Sequence, residues 1–95
     1  MMKKSILLVE DDAALRNLLK ETLINEFEVL EASNYSEGIN QSGNNIDLAL
    51  IDYALPGRDG FEVLKMLREK RPSLPAIMMT AYSSEELAIK AVGRM

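Results

Sequence analysis

The sequence predicts a single α/β domain, built on an open parallel sheet with helices on both faces. Short apolar runs alternate along the 95 residues with segments of helical periodicity, and this alternation favours parallel strands joined by right-handed crossovers. Acidic residues stand directly after two of the apolar runs. Ligands of such sheets bind at the carboxyl ends of the strands, so these acids are the candidate functional residues.

The first half of the chain contains two strand–helix units. Residues 6–9 form a continuous apolar run, typical of a strand that is buried on both faces. Asp11 or Asp12 can cap the helix that comes next. The apolar face of that helix is formed by Leu15, Leu18, Leu19, Thr22 and Leu23. Residues 27–32 then predict a second strand, and residues 33–42 predict a weaker helix.

The second half repeats the pattern twice. Residues 46–52 predict a third strand and residues 76–80 a fourth. The helix between them carries its buried stripe at Phe61, Leu64 and Leu67. Ser83 and Glu86 form a capping box, which predicts a fourth helix that extends through Ala91.

Composition excludes several classes of function. The chain contains no cysteine and no histidine, which rules out disulfides, imidazole catalysis and zinc sites built from these residues. The net charge of −4 disfavours direct binding to nucleic acid or to an anionic membrane. We see neither a secretion signal nor a run of transmembrane length. These features predict a cytoplasmic protein whose metal, if it has one, is held by oxygen ligands.

The acids at the strand ends predict a cation site. Glu10, Asp11 and Asp12 stand at the end of the first predicted strand, and Asp52 ends the third. Carboxylates gathered at one sheet edge repel one another, and they suit Mg²⁺ or Mn²⁺. Asp11 has an alternative interpretation as a helix cap. Asp52 is followed by a Pro-Gly loop that has no evident need of a cap, so we interpret it as a functional carboxylate.

Three stretches of sequence resemble the receiver domain of two-component response regulators. They are VEDD at residues 9–12, DYALPGRDG at residues 52–60 and LPAIMMTA at residues 74–81. The resemblance implies a flavodoxin-like doubly wound parallel sheet with strand order 2-1-3-4(-5). It also implies a signalling switch, not an enzyme. The switch would accept a phosphoryl group from a sensor histidine kinase or phosphotransfer protein and control an output partner.

The resemblance also implies a role for each matching residue. Asp52 would be the phosphoacceptor and a ligand of Mg²⁺ or Mn²⁺. Asp12 would bind the metal directly, Asp11 would act mainly through bound water, and the backbone carbonyl of Ala54 would be a further ligand. Thr80 would supply the hydroxyl that turns toward the phosphoryl group.

The sequence departs from the family pattern at its end. Residues 1–95 match a receiver domain that is truncated after the fourth helix, so the fifth strand–helix unit and its lysine have no counterpart. Arg58 is the one plausible substitute for that lysine. We expect the fourth strand to present an open edge, with apolar surface around Leu8 and Ile77. This predicts either a fragment or self-association through that edge.

Three other functions compete with that of a phosphoacceptor. A non-phosphorylated interaction module with the receiver fold would retain the architecture without the chemistry. A phosphohydrolase of similar topology would need a second acid where Ala54 stands. A flavin-binding protein would need a phosphate-binding loop after the first strand, where residues 10–12 are all acidic.

Overall fold

The structure, a computed structural model, describes residues 3–79. The predicted fourth helix and Thr80 lie outside these residues. The elements are β1 (Lys4–Val9), α1 (Ala13–Leu23), β2 (Phe27–Ala32), α2 (Tyr35–Gln41), β3 (Leu48–Asp52), α3 (Gly60–Lys70) and β4 (Ala76–Met79). Within the described part of the chain, no helix is long and apolar enough to cross a membrane.

The four strands form one parallel sheet in the order β2-β1-β3-β4. This confirms the predicted strand order and the doubly wound architecture. In the register of the sheet, Val9 at the end of β1 pairs with Ala32 of β2 and with Ile51 of β3. The carboxyl ends of β1, β2 and β3 therefore meet at one edge.

Most of the core lies between the sheet and α3. Val63 and Leu67 of α3 are fully buried and belong to one cluster with residues of β1 and β3. The strand residues of this cluster are Leu7 and Val9 of β1, Ala32 of β2, and Ala49 and Ile51 of β3. Ile6 and Leu8, which alternate with the β1 members of the cluster, are also buried. Burial of β1 on both faces is thus confirmed, and it makes this strand a rigid support for the acidic residues at its carboxyl end.

Side-chain caps determine where two helices begin. Asn34 caps α2 by accepting a hydrogen bond from the Glu37 N–H at 2.9 Å. Ser33 lies outside α2, and both its N–H and its hydroxyl donate to the Glu37 carboxylate. The helix is therefore shorter at its start than the predicted range 33–42. Asp59 caps α3 in the same way through the Glu62 N–H.

The face of the sheet that carries α1 is less completely covered. The α1 helix has no buried residue, and Leu15 and Leu18 are 40% and 60% exposed. Ile77 of β4 is 54% exposed, in agreement with the predicted open surface. Leu8 is fully buried, so that part of the prediction was wrong. Leu8 lies in a central strand between Glu31 and Leu50, and α1 packs against β1 and β2.

Candidate functional site

Three carboxylates meet at the carboxyl ends of β1 and β3. Glu10, Asp11 and Asp52 each offer one oxygen, and these oxygens lie within 4.8 Å of one another. The strand register brings them together: Val9 pairs with Ile51, so the next residues along the two strands, Glu10 and Asp52, lie at the same level. We call these three residues the carboxylate cluster.

Glu10 is the buried member of the carboxylate cluster. It is only 3% exposed, and its N–H donates to the Ala32 carbonyl at 3.0 Å. Its Oε2 accepts a hydrogen bond from the Asp12 N–H at 3.1 Å. The pKa of Glu10 is raised to about 7, mainly by burial and in addition by the negative charge of Asp52, against the lowering effect of that hydrogen bond. Glu10 is therefore a carboxyl group that titrates near neutral pH.

Asp52 occupies the last position of β3 and is only partly buried. Its Oδ1 accepts a hydrogen bond from the Ala54 N–H at 3.2 Å, which orients the carboxylate. Burial is the main cause that raises the pKa of Asp52, and the negative charge of Asp11 adds to it. The hydrogen bonds from Ala54 and Glu10 act in the opposite direction. Any cation that binds here relieves repulsion between acids already held in place.

The loop after Asp52 is held by backbone contacts on both sides. The Tyr53 N–H donates to the Met79 carbonyl, and the Gly60 N–H donates to the Tyr53 carbonyl, both at 2.8 Å. Gly57 has a φ of 80°, a conformation that other residues rarely adopt. These contacts place the start of α3 directly beside the end of β3. The predicted metal role of the Ala54 carbonyl stays a prediction.

Asp12 has the capping role that the sequence predicted for either Asp11 or Asp12. It caps α1: its Oδ1 accepts hydrogen bonds from the Ala14 and Leu15 N–H groups at 2.9 and 3.2 Å. Within residues 3–79, the acids close enough to share a cation are Glu10, Asp11 and Asp52. We had expected Asp12 in this group and not Glu10. The sequence analysis gave Glu10 no role in the site, although it is the first acid after the apolar run and so the one nearest to the strand. Metal binding by Asp12 stays an untested prediction.

Arg58 lies against α2. Its guanidinium carbon is 4.3 Å from the centre of the Tyr35 ring, a cation–π contact between the β3–α3 loop and α2. The guanidinium group of Arg58 thus packs against the face of the Tyr35 ring. The structure thus gives no support to Arg58 as a stand-in for the family lysine.

Comparison with known proteins identifies the class to which this fold and carboxylate cluster belong. Residues 6–94 match the family model described as response regulator receiver domain. The chain belongs to this family.

Individual relatives agree with the family assignment. The chain is 39% identical over 93 residues to the chemotaxis protein CheY of Halobacterium salinarum, covering 96% of this chain and 78% of that protein. It is 37% identical over 89 residues to a cyclic di-GMP phosphodiesterase of Thermotoga maritima, covering 93% of this chain. The non-phosphorylated HemR receiver domain from Leptospira biflexa superimposes with a TM-score of 0.85 at 34% identity, covering 97% of this chain and 76% of that one.

Many relatives are longer proteins. The chain spans 24% of the Thermotoga protein, and 20% of the response regulator protein FleR of Pseudomonas aeruginosa, to which it is 34% identical over 94 residues. The match therefore assigns a domain and leaves the activity of a whole protein open.

The carboxylate cluster fits the Mg²⁺ that receiver domains generally bind. Its donors are all carboxylate oxygens, which are the ligands that a hard divalent cation prefers. Two of the three acids have a raised pKa because burial and mutual repulsion oppose their ionisation. A bound cation would favour the ionised form of both. Glu10, Asp11 and Asp52 are thus the residues that would hold it.

The two candidate acids next to Glu10 can be separated by substitution. We expect Asp11→Asn to weaken Mg²⁺ binding by about tenfold or more, because it removes a carboxylate of the cluster. Asp12→Asn should change the Mg²⁺ affinity by less than about threefold, since asparagine still caps a helix well. Calorimetric titration with Mg²⁺ measures both. A larger loss in Asp12→Asn than in Asp11→Asn would restore Asp12 as the direct ligand.

Proposed function

We propose that this receiver domain accepts a phosphoryl group on Asp52 from a histidine kinase or phosphotransfer protein, in a reaction that depends on Mg²⁺. The observation that carries the proposal is the carboxylate cluster at the sheet edge, with Asp52 at the end of β3. The domain would then act as a switch that changes the binding of an output partner, without releasing a product of its own.

Asp52 would act as the nucleophile. One carboxylate oxygen of Asp52 forms a bond to phosphorus while the bond between phosphorus and the donor's leaving atom breaks, and the electron pair of that bond leaves with the donor. The product is an acyl phosphate on Asp52. The hydrogen bond from the Ala54 N–H to Oδ1 restricts rotation of the carboxylate, and this restriction holds the nucleophile in place for in-line attack.

Two anions must approach each other in this reaction, so charge compensation is the main requirement. A Mg²⁺ ion held by the carboxylate cluster would supply it by neutralising developing negative charge on the phosphoryl oxygens. Glu10 and Asp11 would hold the cation next to Asp52, and burial of Glu10 limits how far its carboxylate can move. Glu10 and Asp11 would thus serve to hold the cation, while Asp52 would also form the bond to phosphorus.

The added phosphate charge would drive the switch. A phosphoryl group carries about −1.5 to −2 charges at neutral pH and accepts several hydrogen bonds. Thr80 follows Met79 directly in the sequence, and we propose its hydroxyl as a donor to that group. A shift of the segment around Thr80 would then be what the output partner detects. The predicted cytoplasmic location is where a kinase would meet the domain, and it stays a prediction.

Phosphorylation can be tested directly on the chain. We expect incubation with Mg²⁺ and acetyl phosphate to add the mass of one phosphoryl group to a substantial fraction of the molecules, as read by intact mass spectrometry. The adduct should disappear with hydroxylamine, which cleaves acyl phosphates. Chelating Mg²⁺ before acetyl phosphate is added should prevent formation of the adduct, because the two anions then repel each other without compensation.

Asp52→Asn is the matched variant, since the amide keeps the shape of the side chain without its nucleophilic oxygen. It should show no adduct. Phosphorylation that persists in this variant would place the acceptor elsewhere. If the unsubstituted chain binds Mg²⁺ but takes up no phosphoryl group from either acetyl phosphate or a kinase, the non-phosphorylated interaction module becomes the better interpretation.

A further inference from the structure

Arg16 in α1 reaches back to the end of β1. Its Nη1 donates to the backbone carbonyl of Glu10 at 2.7 Å. Its Nε lies 3.5 Å from Oε1 of Glu31, which is in β2. The side chain of Arg16 is only 20% exposed, so the guanidinium is partly withdrawn from water. Arg16 thus links a member of the carboxylate cluster to a neighbouring strand and a helix.

The contact completes the restraint of Glu10. The Glu10 N–H is already bound by the Ala32 carbonyl of β2, and the carbonyl is bound by Arg16. Because both the N–H and the carbonyl of Glu10 are hydrogen-bonded, the backbone position from which its side chain extends is fixed. The peptide group that joins Glu10 to Asp11 is restrained in the same way. The guanidinium is itself oriented by Glu31, because a planar guanidinium offers donors in fixed directions.

Lys20 provides an internal comparison. It lies one helical turn beyond Arg16, and its Nζ donates to Oε2 of the same Glu31 at 3.0 Å. Both residues therefore place a positive charge on the same carboxylate from the same helix. Within residues 3–79, the side-chain hydrogen bond to the Glu10 carbonyl comes from Arg16.

We propose that Arg16, oriented by Glu31, is a positioning residue for the cation site: it holds the Glu10 backbone so that the carboxylate cluster keeps its geometry. The inference rests on the proposed function, because it assigns to the cluster the binding of Mg²⁺. Arg16 would act through Glu10, without binding the metal or the phosphoryl group itself.

A charge effect and a positioning role predict opposite changes in Mg²⁺ affinity when Arg16 is replaced. Removing a positive charge near a cation site makes the local potential more negative, which by itself strengthens Mg²⁺ binding. Removing a restraint on Glu10 weakens Mg²⁺ binding, because the cluster must then be ordered when the ion binds. The sign of the change therefore separates a positioning role from a simple charge effect.

The test is calorimetric titration of Mg²⁺ into the chain and three variants, at a temperature where circular dichroism shows each to be folded. We expect Arg16→Met to weaken Mg²⁺ binding by about three- to tenfold. Lys20→Met removes the same charge and a contact to the same Glu31, and its affinity should stay equal or become slightly tighter. Arg16→Lys keeps the charge but not the planar donor pair, and we expect a loss of about two- to threefold.

Affinity that is unchanged or tighter in Arg16→Met, or equally weakened in Lys20→Met, would overturn the proposal. If Arg16→Met does not fold, Arg16→Lys decides the question, and an unchanged affinity in that variant overturns the proposal. The titration does not require phosphoryl transfer. If the chain binds Mg²⁺ but is never phosphorylated, the proposed function is refuted, and the titrations still test the positioning role of Arg16.

Discussion

Gly60→Ala is expected to lower the free energy of unfolding by about 2 kcal/mol, because no space exists for the added methyl group. A Cβ at this position would lie 2.5 Å from the Asp52 carbonyl oxygen and 2.9 Å from the Ile51 side chain. The carbonyl belongs to the end of β3 and cannot rotate away as a side chain would. The better helix propensity of alanine offsets only about 1 kcal/mol of the destabilisation that this steric overlap causes.

Gly43→Ala is the control for this prediction. No atom lies within 4 Å of a Cβ at Gly43, so the same substitution should change stability there by no more than about 0.5 kcal/mol. Urea denaturation of both variants measures the difference. Equal stability of Gly60→Ala and the unsubstituted chain would mean that the junction of β3 and α3 is looser than its contacts imply. The expected shift of Asp52 would also reduce phosphorylation in Gly60→Ala.

Asp52→Asn is expected to raise the free energy of unfolding of the metal-free chain by about 1–2 kcal/mol at pH 8. Three carboxylates lie together in the carboxylate cluster, and the raised pKa of both Glu10 and Asp52 shows that ionising them opposes folding. Replacing one acid by a neutral amide removes part of the electrostatic repulsion that destabilises the folded chain. The gain in stability would come at the expense of the proposed function.

The effect should depend on pH with a defined sign. The pKa of Glu10 is about 7 in the folded chain against an ordinary value of 4.5. Its contribution to stability is therefore fully present below pH 4.5 and is lost as the pH rises through about 7. In the unsubstituted chain a proton shared in the cluster relieves the repulsion at low pH. We thus expect the advantage of Asp52→Asn to shrink between pH 8 and pH 5.

Thermal or urea unfolding at several pH values, with and without Mg²⁺, measures the difference in stability between Asp52→Asn and the unsubstituted chain. Saturating Mg²⁺ at pH 8 should stabilise the unsubstituted chain, by about 2.7 kcal/mol at one hundred times the dissociation constant, and should stabilise Asp52→Asn much less. Glu26→Gln is the control, since Glu26 is an exposed acid and its loss should have little effect. An Asp52→Asn variant that is less stable than the unsubstituted chain at pH 8 would contradict repulsion within the cluster as the source of the effect.

The architecture could be predicted because local patterns determine it. Residues 6–9 are apolar without interruption and form the buried carboxyl-terminal part of β1, and residues 27–32 match β2. The helix α3 follows from its stripe, of which Leu64 and Leu67 are buried. The start of α2 was predicted less well, because hydropathy does not reveal that Asn34 caps the helix or that Ser33, outside it, donates to the Glu37 carboxylate.

Which acids share the site was decided by the tertiary structure. The sequence by itself placed Asp52 at the end of a strand and three acids after another, and from these three we predicted Asp11 and Asp12 as the partners of Asp52. The register of β1 against β3 sets Glu10 level with Asp52, while the start of α1 takes the side chain of Asp12 as its cap. A strand register depends on contacts between segments about 40 residues apart in sequence, which no local pattern encodes.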